Sequence, residues 1–375
     1  MSLRLCNAAV PPMKIVHCLF TMETGGAQVL TVDLLNEMSD EHDVCLIIIN
    51  NKFNRSLLEQ LNRKVRVFFI NRKEGSLNPI PVIRLNLLLL KLKPDIIHCH
   101  EPKIARIVKT TNAKLIHTIH DTGLPTFCYH LYDKLIAVSE VVYQDVALKC
   151  VTPVTKIDNG IAIDLFKRRI QYNLGKGETV KFIQLSRLFH EKKGQDVLVH
   201  ALHLIKSEHH FSNFSIDFIG SGDSYKYLKK LVDELGLSSN VRFLGERSRN
   251  WVFANLSDYH ILVQPSKYEG FGLTVLEGFA AGLPVLASDI EGPAEIISCA
   301  AGGFLFRNGD SASCAQALYN IVELYRNNQL GDLMNRTIDV IKQKYSISSC
   351  SKQYLEEYSL LRNKGSEQMG WQVYV

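Results

Sequence analysis

Two glutamates, Glu269 and Glu277, lie eight positions apart in YEGFGLTVLEGFAAGLPVLASD, which runs from Tyr268 to Asp289. Around them stand Gly270, Gly272, Gly278, Gly282 and Pro284. The preceding YHILVQPS reads as a strand ending at Ser266, and a helix is expected from Gly272 or Leu273. That puts Glu269 in a loop at the C-terminal end of a strand, the edge where open α/β sheets bind ligands. The amides of Phe271, Gly272, Leu273 and Thr274 would point out of the helix N-terminus, where free N–H groups and the helix dipole suit a diphosphate. Gly270 and Gly272 carry no Cβ and let that backbone come close. Glu277, about one turn into the helix, offers a carboxylate that accepts two ribose hydroxyls at once. The plain alternative is a surface charge on a helix.

A leaving diphosphate gathers negative charge, which cations or a carboxylate-held metal would neutralise. The chain has no D-x-D pair at a strand end; it has Arg187 and the Lys192–Lys193 pair after VKFIQLS. TGGAQ sets Gly25 and Gly26 at the first strand–helix turn, where amides could meet a donor phosphate or an acceptor. It is not G-x-G-x-x-G, so the dinucleotide fingerprint is absent. His98, His100, His117 and His120 fall at strand ends, and residues two apart share a face. No Cys or carboxylate set completes a metal site with them. Buried structural imidazoles are their plain alternative.

These residues need elements to hold them. KIVHCLF, DVCLIII, VRVFFI, DIIHCH, AKLIHTIH and KLIAVSE read as strands separated by amphipathic helices such as AQVLTVDLLNEMSD. The alternation restarts at VKFIQLSRL and continues through FSIDFIGSG, VRFLG, YHILVQPS, PVLASD and GFLF. Such βαβ repetition implies parallel sheets. The expected organisation is a disordered leader over 1–12, an N-terminal Rossmann-like acceptor domain over 13–165, a C-terminal donor domain over 166–345, and a C-terminal helix and tail over 346–375 that packs back on the N-terminal domain.

With 375 residues, 46% of them hydrophobic and 22% charged, the composition is that of an ordinary globular chain. Nine cysteines are present and none forms a CxxC pair, so a disulfide framework is not expected and a reducing compartment is. No apolar run reaches the ~20 residues that span a bilayer. A cytoplasmic protein is expected. Through Arg169 there are 22 Lys and Arg against 16 Asp and Glu, a surplus larger than the net +5 of the whole chain. That half suits an anionic membrane surface or a phosphorylated acceptor, or simply a lysine-rich surface. The apolar face of PVIRLNLLLLKLK reads first as core and second as contact with a lipid-linked acceptor or membrane. Nothing points to nucleic acid.

YEGFGLTVLEGFAAGLPVLASD resembles the donor-site signature of family 4 retaining glycosyltransferases (glycosyl transferases group 1). ETGGAQVLTVDLLNEMS, DIIHCHEP, LIAVSE, IDNGI, SRLFHEKKGQDVLVHAL and FIGSGDSYKYLKKLVDELGLSSNVRFLG resemble further family segments in the same order. The resemblance covers about Met13 to Tyr358. It implies a GT-B fold, two Rossmann-like domains facing across a deep cleft. It implies transfer with retention from a nucleotide-sugar, UDP-linked most commonly, with no metal or other cofactor. The acceptor would be a glycan or lipid-linked, as in cell-surface polysaccharide or lipopolysaccharide assembly.

Residue by residue, it implies that Glu269 orients the transferred sugar and that Arg187 with Lys193 stabilises the leaving group. Lys193 directly precedes Gly194, as the family's lysine precedes its glycine, but there is one extra residue between Arg187 and Gly194 relative to the commoner R-L-x-x-x-K-G spacing, so Lys192 stays open. His120 in TIHDTG matches a strand-end histidine near the sugar, and His100 and Glu101 in HCHEP a neighbouring position. Ser139 and Asn159 fall in segments near the cleft, and Ala162 stands where the family commonly has aspartate. Gly245, with Arg247, is placed near the nucleotide base. An epimerase of the same fold and a catalytically silent sugar-nucleotide-binding protein are the competing readings; an NAD-dependent oxidoreductase lacks its glycine fingerprint.

Overall fold

The computed structural model describes residues 11–109 and 112–367. Residues 1–10 of the expected leader and 368–375 of the tail lie outside them. The chain divides into two compact units, 1–159 with 347–375, and 160–346.

The first unit begins β1 (Lys14–Leu19), α1 (Gly26–Met38), β2 (Asp43–Asn50), α2 (Arg55–Leu58), β3 (Arg66–Arg72), α3 (Ile80–Leu92) and β4 (Ile96–Cys99). It continues β5 (Lys114–Ile119), β6 (Lys134–Ala137), α4 (Glu140–Ala147) and β7 (Val154–Lys156). The seven strands form one parallel sheet in the order β3-β2-β1-β4-β5-β6-β7. Strands such as DVCLIIIN are apolar almost throughout because a parallel sheet is covered on both faces.

The second unit runs β8 (Val180–Leu185), α5 (His190–Lys193), α6 (Gln195–Ser207), β9 (Phe214–Ile219), α7 (Tyr225–Glu234), β10 (Val241–Gly245) and α8 (Arg249–Asn255). Then come β11 (Ile261–Gln264), α9 (Leu273–Ala280), β12 (Val285–Ser288), α10 (Glu291–Ser298), β13 (Gly303–Phe306), α11 (Ser311–Arg326) and α12 (Gly331–Tyr345). Its six-stranded parallel sheet has the order β10-β9-β8-β11-β12-β13. The strand order of each sheet reverses once, at β1/β4 and at β8/β11. Chains leaving neighbouring strands there turn to opposite faces and open a crevice at the strand ends.

The last helix, α13 (Ile347–Glu367), belongs to the first unit. Cys350, Tyr354 and Tyr358 are buried in one cluster with Leu30 and Leu34 of α1 and Ile15 of β1. The compact units divide between 159 and 160, where the expected division was 165/166. Ile161 N–H donates to Tyr345 O at 3.0 Å and Ile161 bridges to Ser346, which ties 160–165 to the end of α12.

α3 departs from a one-sided amphipathic helix. Pro81, Leu85 and Leu89 are buried. Ile80, Ile83, Leu87 and Leu90 are 50–60% exposed, so apolar residues lie on both faces. Among the described residues, no helix is long and apolar enough to cross a membrane.

Candidate functional site

In the second unit, the expected donor residues gather at the ends of β8 and β11. Lys193 Nζ lies 2.5 Å from Glu269 Oε2, and both side chains are about 19% exposed. Gln264 Nε2 and Ser266 Oγ each approach the same carboxylate oxygen to 3.4 Å. The Lys192 ammonium lies 4.8 Å from the Tyr268 ring centroid. Of the two lysines that the sequence left open, Lys193 is the one paired with Glu269 at 2.5 Å.

Gly194 makes this possible. It sits between α5 and α6 at φ +63, and a Cβ there would fall 1.8 Å from Pro265 O. The backbone after Lys193 therefore lies directly on the end of β11, a contact only glycine permits. Arg187, exposed, leaves the end of β8. Its carbonyl accepts from Gln195 Nε2 at 2.8 Å, and Gln184 Nε2 donates to Lys193 O at 3.1 Å. Both glutamines are buried.

α9 starts at Leu273 with Gly272 as its N-cap. Val275 N–H is already taken by Gly272 O at 2.9 Å, which leaves Leu273 and Thr274 as first-turn amides without intrahelical acceptors. Phe271 is 4% exposed, and its ring packs edge-on to Tyr345 at 6.1 Å. Gly292 of α10 supports the Glu269–Phe271 loop: a Cβ there would lie 2.8 Å from Glu269 O and 2.9 Å from Phe271 N. Glu277 is half-buried on α9. Gly270 is buried in the loop. Gly245 ends β10, its carbonyl accepting from Gly220 N–H at 2.9 Å. Arg247 stacks over Trp251 at 5.8 Å.

In the first unit, His17 of β1 and His98 of β4 are register partners, and His100 and Glu101 follow β4. His120 follows β5. His100 Nδ1 lies 3.2 Å from His120 Nε2, and His100 Nε2 lies 3.1 Å from His17 Nδ1. His98 is engaged at both nitrogens, 2.5 Å from Tyr358 OH and 2.7 Å from Thr118 Oγ1. Burial pushes His17 and His120 down to about 3 and holds His98 and His100 well below the usual imidazole range. His117 is apart from this group, with Nδ1 3.0 Å from Cys99 O. Glu101 accepts Phe20 N–H at 3.1 Å, and burial pushes its carboxyl up to about 7.

Gly25 is the N-cap of α1, its carbonyl accepting from Val29 N–H, and Gly26 is exposed. Ser139 has a structural task as N-cap of α4, accepting from Val142 N–H at 3.3 Å. Asn159 is buried and its Oδ1 has no partner among the described residues. Sequence reasoning missed His17, Gln184, Gln195, Gln264 and Gly292. His17 has a signal: a histidine inside an apolar strand. The glutamines have none, because their partners, backbone carbonyls, hydroxyls and for Gln264 also the Glu269 carboxylate, are set by the fold.

Residues 166–337 match the family described as Glycosyl transferases group 1, and residues 24–165 match Glycosyltransferase Family 4. The two matches adjoin and take in most of the chain, which belongs to the group 1, family 4 glycosyltransferases. An uncharacterized glycosyltransferase of Methanocaldococcus jannaschii is 27% identical over 218 residues, 58% of this chain and 57% of its own length. The chain thus spans little more than half of that relative. The lipopolysaccharide core biosynthesis glycosyltransferase LpsD of Rhizobium meliloti is 24% identical over 82% of this chain and 87% of its own. Among solved structures, Anabaena HepE in complex with UDP and glucose aligns with a TM-score of 0.77 and 20% identity, over 92% of this chain and 99% of that one. The likeness fixes the fold as GT-B.

Proposed function

We propose that the protein is a retaining, metal-independent glycosyltransferase. It moves a sugar from a nucleotide-sugar, a UDP-sugar first among them, to a glycan or lipid-linked acceptor in cell-surface polysaccharide or lipopolysaccharide assembly. The observation that carries this reading is the meeting of Lys193 and Glu269, with Arg187 nearby in the chain, at the β8/β11 strand ends. UDP in HepE and the lipopolysaccharide core biosynthesis role of LpsD support the donor and the pathway class.

In the reaction, the bond between the sugar's anomeric carbon and the diphosphate oxygen breaks, and its electron pair leaves with the diphosphate. Arg187 and Lys193 offset that charge as it develops, and first-turn amides of α9 add donors. Glu277 accepts the ribose hydroxyls. Glu269, fixed by Lys193, Gln264 and Ser266, orients sugar hydroxyls. On the face that the diphosphate left, the acceptor hydroxyl oxygen bonds to the anomeric carbon and its proton passes to the departing diphosphate oxygen. His120 and Glu101, with the Gly25–Gly26 turn, serve the sugar and acceptor, and His100 acts through His120. Peripheral attachment to the cytoplasmic face of an anionic membrane through α3 is part of the proposal, supported by its exposed Ile80, Ile83, Leu87 and Leu90. Incubation with UDP-sugars and candidate acceptors in EDTA tests it. An α-linked product from an α-linked donor is expected. An inverted product removes retention, and activity lost to EDTA removes metal independence.

A further inference from the structure

The imidazoles of His17, His100 and His120 form a chain in which the innermost nitrogen is a dead end. His17 is 0% exposed, and its Nε2 has no hydrogen-bond partner among the described residues. Its Nδ1 meets His100 Nε2 at 3.1 Å, and His100 Nδ1 meets His120 Nε2 at 3.2 Å. A neutral imidazole has one N–H and one lone pair. Each link therefore needs a proton on one side only, and the chain has two possible orders, all protons directed inward or all outward. Inward order would leave a buried N–H without an acceptor at His17 Nε2. Outward order leaves only a lone pair there, the lesser loss. Burial keeps all three rings neutral, as the depressed values above require.

We propose that the buried dead end at His17 fixes the tautomer of His120: His17 Nδ1–H donates to His100 Nε2, His100 Nδ1–H donates to His120 Nε2, and His120 carries its proton on Nδ1. Thr31 on α1 donates its one hydroxyl proton to Ala27 O at 2.8 Å and stands 3.4 Å from His100 Nε2, so it adds no donor to that nitrogen. His98 stacks on His100 with centroids 4.6 Å apart, and its own nitrogens are held by Tyr358 and Thr118. It takes no proton from the chain. The consequence, which rests on reading His120 as the residue that meets ligand, is a neutral N–H donor for a hydroxyl or phosphate oxygen. His120 is not a base, and His17 and His100 are positioning residues.

The test is a long-range proton–nitrogen NMR correlation on the unliganded, histidine-labelled full chain. Wild type is expected to show His120 protonated on Nδ1 and His17 on Nδ1. His100→Gln keeps a donor toward His120 and an acceptor toward His17, and should preserve the His120 tautomer. His100→Leu breaks both links and should give a mixture at His120. Protonation of wild-type His120 on Nε2 overturns the proposal, as does a His120 tautomer that His100→Leu leaves fixed. Zinc retained one-to-one through dialysis overturns it too, because the donor atoms of His17, His98 and His100 lie within 4.8 Å of one another and ligation would replace the chain. These readouts need no substrate, so a failed transfer assay bears on the enzymatic reading alone.

Discussion

Lys193 Nζ stands 2.5 Å from Glu269 Oε2 and joins the end of α5, which follows β8, to the loop after β11. The pair fixes a carboxylate and an ammonium side by side at a topological switch point. An ammonium so held is in place before a diphosphate arrives, and its charge counts most when that group leaves.

Arg187→Ala and Lys193→Ala should each lower kcat by about 10²–10³, the range seen when one stabiliser of developing charge is removed. KM for the sugar nucleotide should change much less. Lys192→Ala should cost far less, since that ammonium lies over Tyr268. Steady-state kinetics of the three variants checks the ranking. Full activity in both Arg187→Ala and Lys193→Ala would remove the leaving-group assignment.

Gly194→Ala should unfold the second unit at markedly lower temperature. The left-handed backbone costs roughly 1–2 kcal/mol for a residue with a Cβ, and the clash with Pro265 O adds roughly 1–3 kcal/mol of overpacking. Gly309 has φ +74 and open space around its Cβ position, so Gly309→Ala reports the backbone term alone. Calorimetric melting of both variants separates the two contributions.

Much of this architecture is legible in the sequence. Buried parallel strands read as apolar runs, and the glutamate loop is local, so both βαβ arrays and the strand-end position of Glu269 could be written down in advance. Long-range register is what hides. His17 meets His98 and His100 only because β1 pairs with β4, and Gly292 supports the Glu269 loop from the next helix. The two faces of α3 could not be apportioned from LNLLLL, where leucine fills nearly every position.

Glu101 should give the fold a measurable pH dependence. Its folded value near 7 lies above the ordinary 4.5, so the native state holds a proton that the unfolded chain releases between those values. Its stabilising contribution is full below 4.5 and is lost as pH rises through about 7. The buried histidines act in the opposite sense, their depressed values favouring the fold as pH rises. The readout is therefore the difference between wild type and Glu101→Gln. Wild-type Tm relative to the variant should fall from pH 4.5 to 7; a constant difference would place the Glu101 carboxylate in water.

Leu87→Glu and Ile83→Glu should abolish sedimentation with phosphatidylglycerol vesicles. Both positions are more than half exposed, so the melting temperature should hold. Burial of the two side chains in a bilayer contributes roughly 1.5–3 kcal/mol each, enough for a loss of tenfold or more per site. Unchanged sedimentation would assign the exposed face of α3 to something other than lipid.

The most direct measurement is calorimetric titration of the purified chain with UDP, GDP, ADP and NAD in EDTA. One nucleoside diphosphate, UDP first, should bind without metal. Glu277→Ala should weaken it by about 10–100-fold, the loss of one or two charged hydrogen bonds. Binding of NAD in preference to every nucleoside diphosphate, or UDP affinity that appears only when a divalent metal is added, would contradict the account.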